Sequence, residues 1–215
     1  MNGDIYVTEY LTDNVNIIPG GTGTPGTTVT VGSGFNKPRG VYVAANGDVY
    51  VADTGNYAIK RVPGGTGTPV TVVSGLGTTY ATGPSSITLA QNGDLIVGQG
   101  KEVKRFDPST GALISTLYTN VQRNIVNVFA ALSGDIYWTE SDQMHQVWRS
   151  PGGSGTPVSV TGLKIGSGGF VFVAANGDVY TALSGSFRLT KYASGSSVGL
   201  VVGSGISATS VWAVC

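Results

Sequence analysis

The chain has 215 residues, with 34 glycines and only 11% charged residues. A typical soluble protein has about 25% charged residues and about 7% glycine, so this composition argues against a helical bundle and favours an all-β chain rich in turns. Twelve basic residues balance twelve acidic residues, and without a net positive field the chain is not expected to bind nucleic acid or an anionic membrane surface. This length fits one all-β domain over residues 1–215.

The cysteine count, the histidine count and the hydropathy pattern exclude further classes of protein. Cys215 is the only cysteine, which excludes an intramolecular disulfide and a zinc site built from several thiolates. His145 is the only histidine, so we expect no bound metal and no cofactor. No apolar run reaches the ~18 residues of a membrane helix, and no membrane insertion is expected.

The chain contains five copies of one sequence pattern. Each copy begins with a Gly-Asp pair followed by an apolar stretch, and the pairs recur every 41 to 46 residues. After a further stretch, three copies carry a loop of the form Pro-Gly-Gly-(Thr/Ser)-Gly-Thr-Pro, starting at Pro19, Pro63 and Pro151. The Gly-Asp pairs are Gly3-Asp4, Gly47-Asp48, Gly93-Asp94, Gly134-Asp135 and Gly177-Asp178.

The second copy shows the strand pattern of one repeat. Four strands are predicted over Gly40–Ala44, Asp48–Ala52, Ala58–Val62 and Val70–Val73, with Asn46-Gly47 as a two-residue hairpin turn. The first two strands are apolar throughout instead of alternating, so both of their faces must be covered. A four-stranded sheet packed between two copies of itself meets this requirement, and a period of about 40–50 residues is typical of propeller blades. The sequence therefore predicts an all-β, five-bladed β-propeller of four-stranded antiparallel blades.

The two ends of the chain predict how the ring closes. Residues 210–215 resemble the first strand of a repeat, whereas the chain begins at the hairpin turn that follows such a strand. We expect strand 211–214 to pair with the N-terminal strand as the innermost strand of the first blade. The expected repeats are 2–36 with 208–215, 37–79, 80–124, 125–166 and 167–207. Because the chain starts in mid-repeat, we interpret Met1 as a start placed on a segment cut from, or permuted within, a longer repeat array.

The second repeat carries the pattern of a known family. Residues 46–62 read Asn-Gly-Asp-Val-Tyr-Val-Ala-Asp-Thr-Gly-Asn-Tyr-Ala-Ile-Lys-Arg-Val and follow Lys37-Pro38-Arg39-Gly40-Val41. With the spacing of Asp53 and Asn56 and the basic pair near the end of the third strand, this segment resembles an NHL repeat. Other copies depart from this pattern, with Glu9, Gly98 and Leu183 aligned to Asp53 in the first, third and fifth repeats.

The resemblance implies a propeller fold but leaves several functions open. NHL propellers serve as sensor domains of bacterial receptor kinases, as protein or RNA binders and, in distant relatives, as lyases, so the fold alone does not select a function. The resemblance also implies that such lyases need several histidines, or a histidine with a bound metal. This chain offers only His145, preceded by Glu140 and Asp142. We therefore expect a protein that is not an enzyme.

Several recurring residues are interpreted as structural. The aspartates of the Gly-Asp pairs follow turns, where their side chains can accept backbone N–H groups, so they are not expected to form a ring of metal ligands. The Pro-Gly-Gly loops lack the lysine and the following helix of a phosphate loop and are predicted to be hairpin connections. Asp53, Asn56 and Arg61 are expected to brace the turn between the second and third strands. Trp138, Trp148 and Trp212 are expected in the core.

Comparison of the repeats indicates which face of the ring binds a ligand. The turns between strands one and two and between strands three and four lie on one face, where the motifs recur with small changes. The turns between strands two and three and the crossovers between blades lie on the other face, where the copies diverge. Binding residues usually lie on loops held by a rigid scaffold, and aromatic and arginine side chains dominate interface energetics. The candidate binding residues are Phe35, Arg39, Tyr57, Tyr80, Arg123, Phe187 and Arg188, with Lys37 and Lys164 on the same crossovers.

The sequence thus predicts a noncatalytic binding or sensing module for an unknown protein, peptide or glycan ligand. We expect it to be a monomer whose parent protein is extracellular or periplasmic, because the charge is low and Gly, Ser and Thr are abundant. Two alternatives stay open. One is a sugar-binding five-bladed lectin, which aromatic and amide groups near the crossovers would suit. The other is an excised or engineered propeller scaffold without a ligand of its own, which the start in mid-repeat would suit.

Overall fold

The computed structural model describes residues 3–21, 29–120, 122–141, 147–160, 169–183, 188–196 and 198–203. Across these residues the chain forms nineteen strands in five antiparallel sheets, and strands consecutive in sequence are neighbours within each sheet. The helical segments of this part of the chain are three-residue 3-10 turns. The predicted all-β, five-bladed β-propeller is confirmed.

The first blade contains three described strands. They are β1 (Ile5–Glu9), β2 (Asn14–Ile18) and β3 (Val29–Thr30). The fourth strand predicted for this blade, residues 211–214, lies outside the described residues, as does the predicted closure of the ring.

Each of the other four blades contains four described strands, in the order in which they occur in the sequence. The second blade consists of β4 (Gly40–Val43), β5 (Val49–Asp53), β6 (Ala58–Val62) and β7 (Val70–Val73). The third consists of β8 (Pro84–Leu89), β9 (Leu95–Gln99), β10 (Glu102–Phe106) and β11 (Leu113–Thr119). The fourth consists of β12 (Ile125–Ala130), β13 (Ile136–Glu140), β14 (Val147–Ser150) and β15 (Val158–Val160). The fifth consists of β16 (Phe170–Val173), β17 (Val179–Leu183), β18 (Arg188–Tyr192) and β19 (Gly199–Gly203).

The second strand of a blade is the most deeply buried part of the fold. Every residue of β5, β9 and β13 is buried. This matches the unbroken apolar runs in the sequence, because a strand between two other blades has no face left for water. In the second blade the predicted strand ends agree with the structure to within one residue.

The hydrophobic core lies between blades. Val15, Val31 and Phe35 of the first repeat pack with Val49 and Val51 of the second. Further clusters join the second blade to the third, the third to the fourth and the fourth to the fifth. Burial of apolar area between sheets therefore connects the repeats along the chain. In the described part of the chain, no helix has the length and apolar character that crossing a membrane requires.

Candidate functional site

The two faces of the propeller differ in the loops that they carry. On the turn face, the turn between strands one and two lies against the loop between strands three and four, and Asp48 Oδ1 accepts the Gly64 N–H at 2.9 Å. On the opposite face, which we call the loop face, the crossover into the second blade lies against the turn between its second and third strands. Here the Gly55 N–H donates to the Asn36 carbonyl at 2.8 Å. The loops of the second blade are therefore distributed between the faces as the sequence predicted.

The aspartates of the Gly-Asp pairs have a structural role on the turn face. Four of them accept a backbone N–H from the loop between strands three and four: Asp4 from Gly20, Asp48 from Gly64, Asp135 from Gly152 and Asp178 from Ser194, at 2.8 to 3.0 Å. Their side chains thus join the two connections of one blade. The described residues contain no group of three or more His, Cys, Asp or Glu side chains placed to share a metal ion.

Asp53 braces the loop face of the second blade as predicted, but one of its expected partners is different. Its carboxylate accepts the Asn36 N–H at 2.7 Å and the Asn56 side-chain amide at 2.8 Å. The cation that pairs with it is Lys60, at 2.8 Å. The role expected for Arg61 is wrong: alternate residues of a strand point to opposite sides, and Arg61 pairs instead with Asp48 near the turn face, at 3.4 Å.

Two of the predicted binding residues meet in one cluster on the loop face. The rings of Tyr10 and Tyr80 lie edge to face, with their centroids 5.9 Å apart. The Lys37 ammonium is 4.5 Å from the centroid of the Tyr80 ring and 5.9 Å from that of Tyr10. The Arg39 guanidinium is 5.5 Å from the Tyr10 centroid and 5.8 Å from that of Tyr80. We call these four residues the cationic-aromatic cluster.

Local backbone geometry holds the two cations of this cluster in place. Lys37 has φ +49°, a left-handed conformation that L side chains rarely adopt, and its N–H donates to Asp13 Oδ1 at 2.6 Å. The Arg39 carbonyl accepts the Thr8 hydroxyl at 2.9 Å. These bonds connect the crossover to the first blade, so the cluster spans loops from three repeats. Arg39 is exposed, and Tyr10 is 37% exposed.

Of the other predicted binding residues, those whose side chains are described lie apart from the cationic-aromatic cluster. Phe35 is only 6% exposed and packs in the core between the first two blades. It is therefore a core residue and not the exposed ligand contact that the sequence predicted. Tyr57 is half-buried near Gly83, where an added Cβ would lie 3.5 Å from its ring. Phe187 lies outside the described residues. The backbone of Arg188 begins β18, and its side chain is not described.

Arg123 belongs to a second polar group that the sequence pattern did not reveal. Its guanidinium lies 3.6 Å from Glu140 Oε2, and Glu140 is 1% exposed. Glu140 Oε1 accepts the Asn120 side-chain amide at 2.9 Å, and the same amide reaches the Tyr118 hydroxyl at 3.2 Å. Burial, a hydrogen bond to Glu140 and the negative charge of that group raise the pKa of Tyr118 to about 12. A glutamate at the end of an apolar strand was the available signal, but its partners come from the preceding crossover. His145 and Asp142 lie outside the described residues.

Residues 35–61 match the family model of the NHL repeat. This segment is similar to an NHL repeat. It contains the crossover, β4, β5 and most of β6, and therefore Lys37, Arg39 and Asp53. The resemblance expected from the sequence is confirmed for this segment. Comparison with curated proteins gives no match.

Solved structures with a similar fold include lyases. The selenomethionine-substituted virginiamycin B lyase from Staphylococcus aureus has a TM-score of 0.67 and 16% identity, over 92% of this chain and 65% of that one. A streptogramin B lyase has a TM-score of 0.67 and 15% identity, over 93% and 65%. A catalytically inactive histidine-to-alanine variant of the Staphylococcus aureus virginiamycin B lyase with quinupristin has a TM-score of 0.67 and 12% identity, over 96% and 68%. This chain thus spans 65% of the length of the first two lyases, and at these identities the likeness shows the fold alone.

The prediction that the protein is not an enzyme is contradicted by these neighbours, because all three are structures of lyases. That prediction depended on the scarcity of histidines in this chain. Changing one histidine is enough to give the inactive form of one neighbour. One histidine is thus essential in that neighbour, and this chain has one histidine, His145.

Proposed function

We propose that this propeller is a binding or sensing module that recognises a carboxylate-bearing ligand at the cationic-aromatic cluster. The observation that carries the proposal is that Lys37 and Arg39, the two cations of the cluster, have no carboxylate partner among the described residues. Seven basic side chains of the described residues form ion pairs with carboxylates. Within the described residues, no carboxylate pairs with the side chain of Lys37 or Arg39, although the chain has as many acidic as basic residues.

The chemistry of the cluster favours an anionic group flanked by apolar surface. An arginine guanidinium can bind a carboxylate through two parallel hydrogen bonds, and tyrosine rings supply rigid contact area beside it. The two tyrosines also hold the cations by cation-π attraction, which reduces the side-chain entropy lost on binding. Tyr80 Oη is buried without a hydrogen-bond partner, so the cluster has an unused donor next to its cations.

The test uses two polymers that carry carboxylates on different backbones, polygalacturonate as a glycan and poly-L-glutamate as a peptide. The double variant Lys37→Gln/Arg39→Gln should raise the Kd for the polymer that binds by about tenfold or more, since truncating interface hot spots costs about 1–2 kcal/mol or more each. Biolayer interferometry with the immobilised protein measures this Kd. The melting temperature should stay nearly unchanged, because neither side chain forms an ion pair with a carboxylate of the described residues.

The matched control removes the same charge from the turn face. Arg61 and Arg149 are each 41% exposed and pair with Asp48 and Asp135, so Arg61→Gln/Arg149→Gln changes the net charge equally. The control should retain binding. If neither polymer binds the wild-type protein, or if the control loses as much affinity as the test variant, the proposed site is wrong. The choice between the two polymers separates a glycan ligand from a peptide ligand.

A second candidate function is that of a lyase. The fold of its solved neighbours and the inactivating histidine change in one of them favour it, and His145 is the one residue of this kind in the chain. We expect a lyase of this type to consume virginiamycin B, with loss of turnover in His145→Ala. Mass spectrometry of the antibiotic after incubation measures this. Unchanged virginiamycin B, or equal turnover by wild type and variant, would exclude this candidate.

A further inference from the structure

A cleft lies next to the cationic-aromatic cluster on the loop face. It is open to solvent, has a volume of about 440 Å³, and is formed where the crossover into the third blade meets the hairpin between β9 and β10. Thr78 and Thr82 line it from the crossover, Gln99, Lys101 and Glu102 from the hairpin, and Asn120 from the next crossover. Ligand sites of proteins commonly have volumes of about 300–1,000 Å³.

Gln99 is the unusual residue of this cleft. It is only 8% exposed, and its Oε1 atom is buried with no hydrogen-bond partner. Leaving a buried polar atom unpaired costs stability, and native structures rarely do so without a reason. The unpaired Gln99 oxygen therefore points to a ligand that donates a hydrogen bond to it.

Comparison with the second blade strengthens this interpretation. Gln99 is the last residue of β9, as Asp53 is the last residue of β5. The Asp53 carboxylate is fully used, since it accepts bonds from Asn36 and Asn56 and pairs with Lys60. In the third blade an amide takes this position, and its oxygen is left without a partner.

The groups around Gln99 define what the cleft can bind. An amide side chain offers both a donor and an acceptor, and Thr78 adds an exposed hydroxyl. Lys101 and Glu102 are opposite in charge, and Glu102 pairs with Lys104 at 2.7 Å. The lining therefore favours neither an anionic nor a cationic ligand. Carbon atoms of the lining residues form most of the cleft surface, with the polar groups placed between them. We propose that the cleft binds a neutral, polyhydroxylated ligand the size of a monosaccharide, with Gln99 as its buried hydrogen-bonding anchor.

The experiment maps sugar binding by ¹H–¹⁵N chemical-shift perturbation on the full chain. The probes are glucose, galactose, mannose and N-acetylglucosamine, each as the free sugar and as its methyl glycoside. The methyl glycoside represents the terminal unit of a glycan, so the two arms distinguish a free sugar from a glycan end. We expect at least one probe to shift the amide signals of residues 77–82 and 99–102, and Gln99→Leu to weaken its binding by about tenfold or more.

Two controls separate loss of the site from loss of the fold. Gln91→Leu is the same substitution on the turn side of the same blade, and Gln91 is exposed with its amide donating to the Leu132 carbonyl. It should leave sugar binding unchanged. Gln99→Leu should melt at the same temperature as the wild type or higher, because it removes an unpaired polar atom.

The proposal would be overturned if no probe shifted the cleft signals at 50 mM, roughly the limit for detecting a weak site. It would also be overturned if the shifts were centred elsewhere on the protein, or if sugar binding survived Gln99→Leu. The result is independent of the anionic site, because Lys37→Gln/Arg39→Gln should retain binding to the sugar. In this variant, loss of polymer binding with retained sugar binding would support both sites. Loss of sugar binding would overturn the cleft as a separate sugar site, and retained polymer binding would overturn the anionic site.

Discussion

Single residues at equivalent positions of the blades have different partners, and these partners decide their roles. The aspartates after the Gly turns were predicted to bond nearby backbone groups. The structure shows that Asp135 instead reaches Gly152 in a different loop, with its Oδ1 2.8 Å from the Gly152 nitrogen. The other oxygen accepts two bonds from Arg149, both at 2.8 Å. The residue type was therefore informative about a structural role, but the partner depends on the three-dimensional pairing of two hairpins.

This difference predicts that equivalent aspartates contribute unequally to stability. Asp135→Ala removes a backbone tie and an ion pair and should lower the free energy of unfolding by about 2 kcal/mol, because hydrogen bonds to charged groups are worth about 1.5–3 kcal/mol. Asp94 is the natural control: its described partners are Asn92, at 2.7 Å, and Arg105, at 3.5 Å. Asp94→Ala should cost about 1 kcal/mol or less. Urea denaturation of both variants measures the difference, and equal losses would contradict it.

Binding residues were predicted only in part from the sequence. Arg39 and Tyr80 were both expected on the divergent face, and the structure brings them together with Tyr10 and Lys37. Phe35 was expected beside them but is buried. A crossover has no repeating side-chain pattern, and here the left-handed backbone at Lys37 changes the chain direction between Phe35 and Arg39. Local turns of this kind are not visible in the order of the residues.

At the scale of elements, strands were easier to predict than hairpin register. Long apolar runs between Gly turns locate β5 and β9, because such runs fit strands buried on both faces. The comparison of repeats nevertheless aligned Gly98 with Asp53, whereas in the structure Gln99 occupies the position equivalent to Asp53. Asp53 and Gln99 each lie five residues after the aspartate of their Gly-Asp pair, so the repeat spacing itself aligns them. The hairpins that follow differ in length, since Gln99 pairs with Glu102 across a two-residue turn and Asp53 pairs with Ala58 across four residues. Gly98 allows the next blade to approach closely, because a Cβ at this position would lie 2.7 Å from the Ile125 side chain.

At the scale of the whole molecule, the blades are held together by the clusters between them. Trp138 is fully buried in the cluster that joins the third and fourth blades, with Ile96 and Val103 on one side and Ile125 on the other. Its ring stacks with that of Trp148, at 6.4 Å between centroids. If such clusters transmit stability from blade to blade, damage to one of them should weaken the entire fold and not one blade alone.

The substitution Trp138→Ala tests this cooperativity. It should lower the free energy of unfolding by about 3–5 kcal/mol, through lost apolar burial and the cavity left behind, and reduce the melting temperature by roughly 10 °C for a chain of this length. Trp138→Phe is the control, because it keeps an aromatic ring in the cluster and removes an indole N–H that is buried without a partner. Its cost should be about 1–2 kcal/mol. The melting of Trp138→Ala followed by far-UV circular dichroism and by tryptophan fluorescence should coincide, as in a single cooperative transition. Two separate transitions in the variant would mean that the third and fourth blades unfold independently of the others.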